Sequence, residues 1–218
     1  YRGDLPFEVL GMSDVMPYPS TLYNSLTDDM ADMLYSAFGK TIGRAIRELD
    51  PDVILCHHLF LLTSMLPDMV KEFAPDLFHG KIYGISHGSD IRQFQNCPFR
   101  RDSIISGIRK LDGIFALHEE QKKQINELYG IADDKINVIG TGYNSQIFNM
   151  DEDMEKPGAD DPYKIIYAGK LSTAKGIFPL IEALAELDED SEIPAFELLL
   201  AGGCQDEGIA RLLSGKPA

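Results

Sequence analysis

The sequence predicts a doubly wound α/β protein, a parallel sheet covered by helices, followed by the beginning of a second unit of the same kind. Three observations predict it. Short β-rich apolar runs, such as DVILC at 52–56 and KIYGIS at 81–86, alternate with longer segments whose apolar residues recur at helical spacing. Within the runs, apolar residues are consecutive rather than alternate, as in strands covered on both faces. An acidic stretch with Pro and Gly but no apolar period, DEDMEKPGADD, separates two such series.

The elements follow in order. FEVL at 7–10 reads as a weak strand. From 28 to 49, residues such as Met30, Leu34, Phe38, Ile42 and Ile46 fall on one helical face. Thr27 is placed to cap that helix, Asp28 and Asp29 sit at its positive end, Arg44 and Arg47 lie near its negative end, and Pro51 stops it. A strand at 52–56 and a helix at 59–73 follow, then a strand at 81–86 and a helix at 100–111. A strand at 112–117, a helix at 119–129 capped by Gly130, and a strand at 136–140 complete the first series. Segments 18–27 and 91–100 read as loops. Beyond the acidic stretch come a strand at 163–168, a helix at 177–187 and a strand at 196–201. The expected organisation is a first domain over 1–150 with its first strand missing, a linker over 151–162, and a truncated second domain over 163–218. The absent initial Met and the stop just after a helical pattern suggest a fragment.

Composition excludes several classes. With 218 residues, 44% hydrophobic and 25% charged, the chain suits a globular protein with a sizeable core. A net charge of -15 argues against nucleic-acid partners and anionic membrane surfaces. The one basic cluster, Arg100, Arg101, Arg109 and Lys110, reads as a solvated helix face. Cys56, Cys97 and Cys204 are far apart, odd in number and without CxxC spacing, so neither a disulfide framework nor a zinc site is expected, and a cytoplasmic home is. No apolar run has the length of a membrane span, and no signal peptide is recognisable.

Ligands of open parallel sheets bind beyond the carboxyl ends of the strands. Four histidines stand there: His57 and His58 after the strand at 52–56, His87 in HGSD after 81–86, and His118, followed by Glu119, after 112–117. Each alone reads most simply as structural; together they favour a site. Gly142, Tyr143 and Asn144 follow the strand at 136–140. The most informative element is GKLSTAKG at 169–176, where Lys170 and Lys175 flank a helix N-terminus. Free N–H groups, the helix dipole and two ammonium groups favour a diphosphate there, against the plain alternative of two exposed lysines in a tight turn. His87, Asp90 and Glu119 are candidates for acid–base chemistry, though spacing alone singles out none of them. GxGxxG, Walker A, HExxH and GxSxG are absent.

PDVILCHH, ISHGSD, DGIFALHEEQKKQI, KINVIGTGYNSQIF, IIYAGKLSTAKGI and LLLAGG occur in this order over nearly the whole chain. In this the chain resembles family 4 glycosyltransferases of the GT-B fold, which have two Rossmann-like domains. GTGYNSQIF resembles that family's NGVDxxxF, and GKLSTAKG its GRLxxxKG. The resemblance implies a retaining, metal-independent transferase without a resident cofactor. It would move a sugar from a nucleotide diphosphate donor to a carbohydrate, lipid or small-molecule acceptor.

By the same resemblance Lys175, with Lys170 and Gly169 in the same turn, holds the donor diphosphate, Lys170 standing where the family usually has arginine. His87 lies near the donor sugar and, with Asp90, is the catalytic candidate. Gly88 and Ser89 shape that pocket, and His57 or His58 lines the acceptor cleft. His118 replaces the family's usual serine, and His118, Glu119, Gly142, Tyr143 and Asn144 are further pocket candidates. The family's E-x7-E motif and N-terminal glycine-rich loop have no match, so the 218-residue chain alone is expected to be inactive. A nucleotide-sugar 2-epimerase of the same fold and a non-catalytic α/β binding module are the alternatives.

Overall fold

The computed structural model of the chain describes residues 5–12, 16, 18–149, 158 and 161–204. Most of the expected linker at 151–162, and everything after 204, lies outside them. The chain divides into two compact units, Tyr1–Asn144 and Ser145–Ala218.

The first unit is built on α1 (Asp28–Leu49), β1 (Val53–His57), α2 (Leu61–Phe73), β2 (Lys81–Ile85), α3 (Ser89–Asn96), α4 (Arg101–Ile108), β3 (Gly113–Ala116), α5 (Glu119–Tyr129) and β4 (Ile136–Val138). Thr27 caps α1 by accepting the Met30 N–H at 3.3 Å. The helix ends at Leu49, two residues before Pro51, with Asp50 in the left-handed region and its N–H on Ile46 O. Ala31, Leu34 and Ile46 mark the stripe that α1 buries.

The four strands are parallel and lie in the order β1-β2-β3-β4. Every crossover therefore steps the same way, and right-handed connections put the helices on one face. Burial agrees: Ile82, Ile114, Ala116 and Ile136 point into the core, whereas Val53 and Leu55 on the opposite face are exposed. On that open face Tyr83 and Phe115 stack at 5.4 Å. Such an order is the run of strands on one side of the switch point in a doubly wound sheet. Helices α2 and α4 touch closely because Gly107 has no side chain; a Cβ there would run into the Ser64 backbone.

Three expectations change, the first being that strands read as covered on both faces leave one face open, with Val53 and Leu55 exposed. FEVL at 7–10 is not a strand, since among the described residues it contributes only a bridge between Leu10 and Thr21. The segment expected as a loop at 91–100 contains most of α3, and the helix expected over 100–111 shortens to α4. The basic cluster is solvated as expected at Arg101, Arg109 and Lys110, which are exposed, but its four cations also have partners. Arg100 pairs with Asp28 at 2.6 Å and Asp32 at 2.9 Å, and Arg101 donates to Phe94 O at 2.8 Å. Arg109 donates to Tyr129 O at 2.6 Å, and Lys110 pairs with Asp68 at 2.5 Å. These cations tie α4 and its flanks to α1, α2, α3 and α5.

The second unit comprises β5 (Tyr163–Ala168), α6 (Ile177–Asp188) and β6 (Phe196–Ala201), with β5 and β6 parallel from Tyr163↔Phe196 to Ala168↔Ala201. Leu171, Ile177 and Leu184 form its buried centre. Among the described residues, no helix of either unit is long and apolar enough to cross a membrane.

Candidate functional site

Parallel register places His57 of β1 opposite Ile85, the last residue of β2. The chain after each strand therefore emerges side by side. His57 Nδ1 lies 2.7 Å from His87 Nε2, the two rings stack at 5.0 Å, and the His58 ring tilts against His87 at 4.8 Å. Three histidines from two strand exits thus form one cluster.

The turn carrying them is fixed from below. His58 adopts a positive φ of 69°, an uncommon state for a residue with a side chain. Its carbonyl accepts from the Thr63 hydroxyl at 2.6 Å and from the Phe60 N–H at 2.8 Å. Leu59 is held twice: its N–H donates to Asp90 Oδ2 at 2.7 Å, and its carbonyl accepts from the Tyr129 hydroxyl at 2.5 Å. Asp90 also accepts from the His87 N–H at 3.0 Å and the Ser86 hydroxyl at 3.2 Å. This carboxylate has 0% exposure. It joins the β1–α2 turn to the β2–α3 turn and makes no contact with solvent, so its place is that of a support for His87 rather than of a reacting group.

Burial and charge act unevenly on the cluster. Burial pushes the His58 imidazole below its ordinary value; the Asp90 carboxylate opposes that, and His87 and His57 add to it. The His58 Nδ1 atom is buried without a hydrogen-bond partner. Burial likewise raises the Cys56 thiol beneath.

The other candidates have separate places. Gly88, with φ 81°, precedes α3, and Ser89 begins it. His118 is exposed and caps α5, its Nδ1 accepting the Gln121 N–H at 3.2 Å. An imidazole thus does the capping that Ser, Thr, Asp or Asn usually does at a helix start. Glu119 is exposed in the first turn of α5, where a carboxylate suits the dipole. Gly142, Tyr143 and Asn144 lie in exposed irregular chain after β4. The supports Thr63, Ser86 and Tyr129 escaped sequence reasoning; Ser86 lies in ISHGSD without being singled out, and Thr63 and Tyr129 sit in no motif. Among the described residues, no group of three or more His, Cys, Asp or Glu is arranged to hold a metal ion.

In the second unit, Gly169 leaves β5 and its N–H donates to Ala201 O at 2.9 Å, tying the exits of β5 and β6 together. Lys170 and Lys175 are exposed. Between them Leu171 is buried and bonded to Gly203 O at 3.0 Å, and Thr173–Lys175 form a single 3-10 turn. The Tyr167 hydroxyl donates to Lys170 O at 2.8 Å, with Lys175 O at 3.4 Å, so one phenol braces both ends of the loop. Gly176, at φ 76°, turns the chain into α6. The first-turn N–H groups of Ile177 and Phe178 have no intrahelical acceptor. Two ammonium groups and a helix N-terminus therefore share one braced, solvent-facing loop.

No protein-family model matches the chain, and no curated protein sequence matches it. Among solved structures, the chain is similar to the catalytic domain of starch synthase IV from Arabidopsis thaliana bound to ADP and acarbose, with a TM-score of 0.51 and 14% identity. The match covers 87% of this chain and 50% of that one, so the chain spans half the length of the structure it resembles. The fold is thereby shown: α/β with parallel sheets, of the GT-B glycosyltransferase type.

Proposed function

We propose that the protein is a cytoplasmic glycosyltransferase of the family 4 kind. It transfers a sugar, with retention of configuration, from a nucleotide diphosphate donor to a carbohydrate, lipid or small-molecule acceptor. The observation that carries this reading is the loop from Gly169 to Gly176, which presents Lys170, Lys175 and the N-terminus of α6 to solvent on a GT-B scaffold. Support also comes from the similar structure, a catalytic domain whose bound molecules are ADP and acarbose.

In this mechanism the departing diphosphate gathers negative charge in the transition state. Lys175 and Lys170 meet that charge as point cations, and the first N–H groups of α6 add fixed dipoles. The loop is braced by the Tyr167 hydroxyl, so little reorganisation is needed when charge develops. His87 faces the donor sugar, and the buried Asp90 fixes its backbone. His57 and His58 belong to the acceptor side. The nucleotide sugar is a co-substrate, and no metal ion or resident cofactor takes part.

The test uses the full-length protein and a panel of nucleotide sugars, with and without pooled acceptors and with EDTA present. Release of nucleoside diphosphate from one donor, dependent on acceptor and insensitive to EDTA, supports the reading and names the donor. Interconversion of the sugar without acceptor replaces the transferase with a 2-epimerase. Donor binding without turnover reduces it to a binding module.

A further inference from the structure

The contact between His57 Nδ1 and His87 Nε2, at 2.7 Å, constrains both rings at once. Two imidazole nitrogens at hydrogen-bond distance need one hydrogen between them, because two lone pairs or two N–H groups repel. The tautomers are therefore linked. If His57 donates from Nδ1, its Nε2 is bare and His87 carries its own proton on Nδ1. If His87 donates from Nε2, its Nδ1 is bare and His57 carries its proton on Nε2.

In either arrangement the neutral pair holds two protons. A third adds to the bare outer nitrogen and leaves the bond intact, giving one positive charge. A fourth would put hydrogens on both facing nitrogens and break the bond. The surroundings favour stopping at one charge. From α3, the buried Asp90 carboxylate accepts the His87 N–H and supplies one negative charge nearby. From the exit of β1, His58 packs against His87 at 4.8 Å as a third imidazole, and a second cation there would face it. From α2, the group at the turn is the neutral Thr63 hydroxyl, and α5 approaches Gly88 with the neutral Gln121 amide.

We infer that His57 and His87 act as one proton-sharing unit that holds at most one positive charge while their bond lasts, and that His57 is the positioning residue that sets the tautomer of His87. This deepens the reading of His87 given above and rests on it for its role in transfer. The proton sharing itself is testable without turnover.

The experiment is a histidine nitrogen NMR titration of the protein over roughly pH 5 to 9, the range in which imidazoles titrate. The wild type is compared with His57→Gln and His87→Gln. The five histidines include His79 and His118 as references, and circular dichroism checks that each variant is folded. In the wild type, the ring-nitrogen shifts of the neutral rings should report the same tautomer for His57 and His87, and each ring's curve should change when its partner is replaced. In either variant, the remaining ring should lose that fixed tautomer, and its nitrogen shifts should move accordingly. Independent single-step curves for both rings in the wild type, unmoved by replacing the partner, would overturn the inference. In the full-length protein, His57→Gln should also shift the pH profile of kcat/KM. Absence of any transfer would condemn the proposed function and leave the titration result standing.

Discussion

At the exit of β2, the Asp90 carboxylate is wholly buried and spends its hydrogen bonds on Leu59, Ser86 and His87. At the exit of β5, the charges of Lys170 and Lys175 stand in solvent on a loop whose backbone is braced by Tyr167. Both places are strand ends of parallel sheets, and both carry the charged residues that mark a site in sequence. The difference lies in what surrounds the charge. A buried carboxylate with every bond internal holds a shape, and removing it leaves donors without partners. An exposed ammonium on a rigid loop contributes little to stability and is available to a ligand.

The comparison breaks most readily at Asp90. Asp90→Ala should cost about 3 kcal/mol of unfolding free energy, measured by chemical denaturation, because Leu59 N–H and His87 N–H lose a charged acceptor. A loss below about 0.5 kcal/mol would show that the carboxylate is not the clasp described. Lys175→Ala should do the opposite. Turnover of the full-length protein should fall roughly 100-fold, while stability stays within about 0.5 kcal/mol of wild type. An unchanged rate would remove the diphosphate role.

Tyr129→Phe sharpens the contrast on the structural side. It deletes one hydroxyl that donates to Leu59 O, and calorimetry should register a loss of about 1 kcal/mol. The smallest effect is a pH dependence. His58 is held below its unfolded value of 6.5, so below pH 6.5 the unfolded chain binds more protons than the native one. Native stability should therefore decline as pH falls from 6.5 toward the lowered native value and stay level above that window. His58→Gln should flatten this slope in unfolding curves taken across it; an equal slope in the variant would assign the titration elsewhere.

Local signals were legible where one residue sufficed to carry them. Thr27 caps α1 and Gly130, at φ 60°, ends α5, as the sequence predicts. α3 was not legible as a helix. It is short and polar, and only Ile91 and Phe94 show its buried spacing; Gly88 before it and Pro98 just after it were the available punctuation. The strand expected at 7–10 has the residues for a strand but pairs only at Leu10, since an apolar run becomes a strand only beside a neighbour. The histidines were legible as strand-end residues. Their meeting was not, because it depends on β1 and β2 being adjacent and in register, a fact about pairing that no single segment encodes. The partners of the cations around α4 were not legible for the same reason: those of Arg100, Arg109 and Lys110 come from α1, α5 and α2, far away in sequence.

The strand order has a temporal consequence. Each described strand of the first unit pairs with the strand that follows it in the chain. Most loops that close on folding are therefore single crossovers, and contact order within the sheet stays low for a parallel architecture. A chain emerging from the ribosome presents β1, then β2, then β3, and each new strand docks on an edge already formed. The Asp90 clasp can close once α3 has appeared, whereas Tyr129 reaches Leu59 only after α5 is made. The histidine cluster thus needs only the chain up to α3 to meet, whereas its lock at Leu59 needs α5.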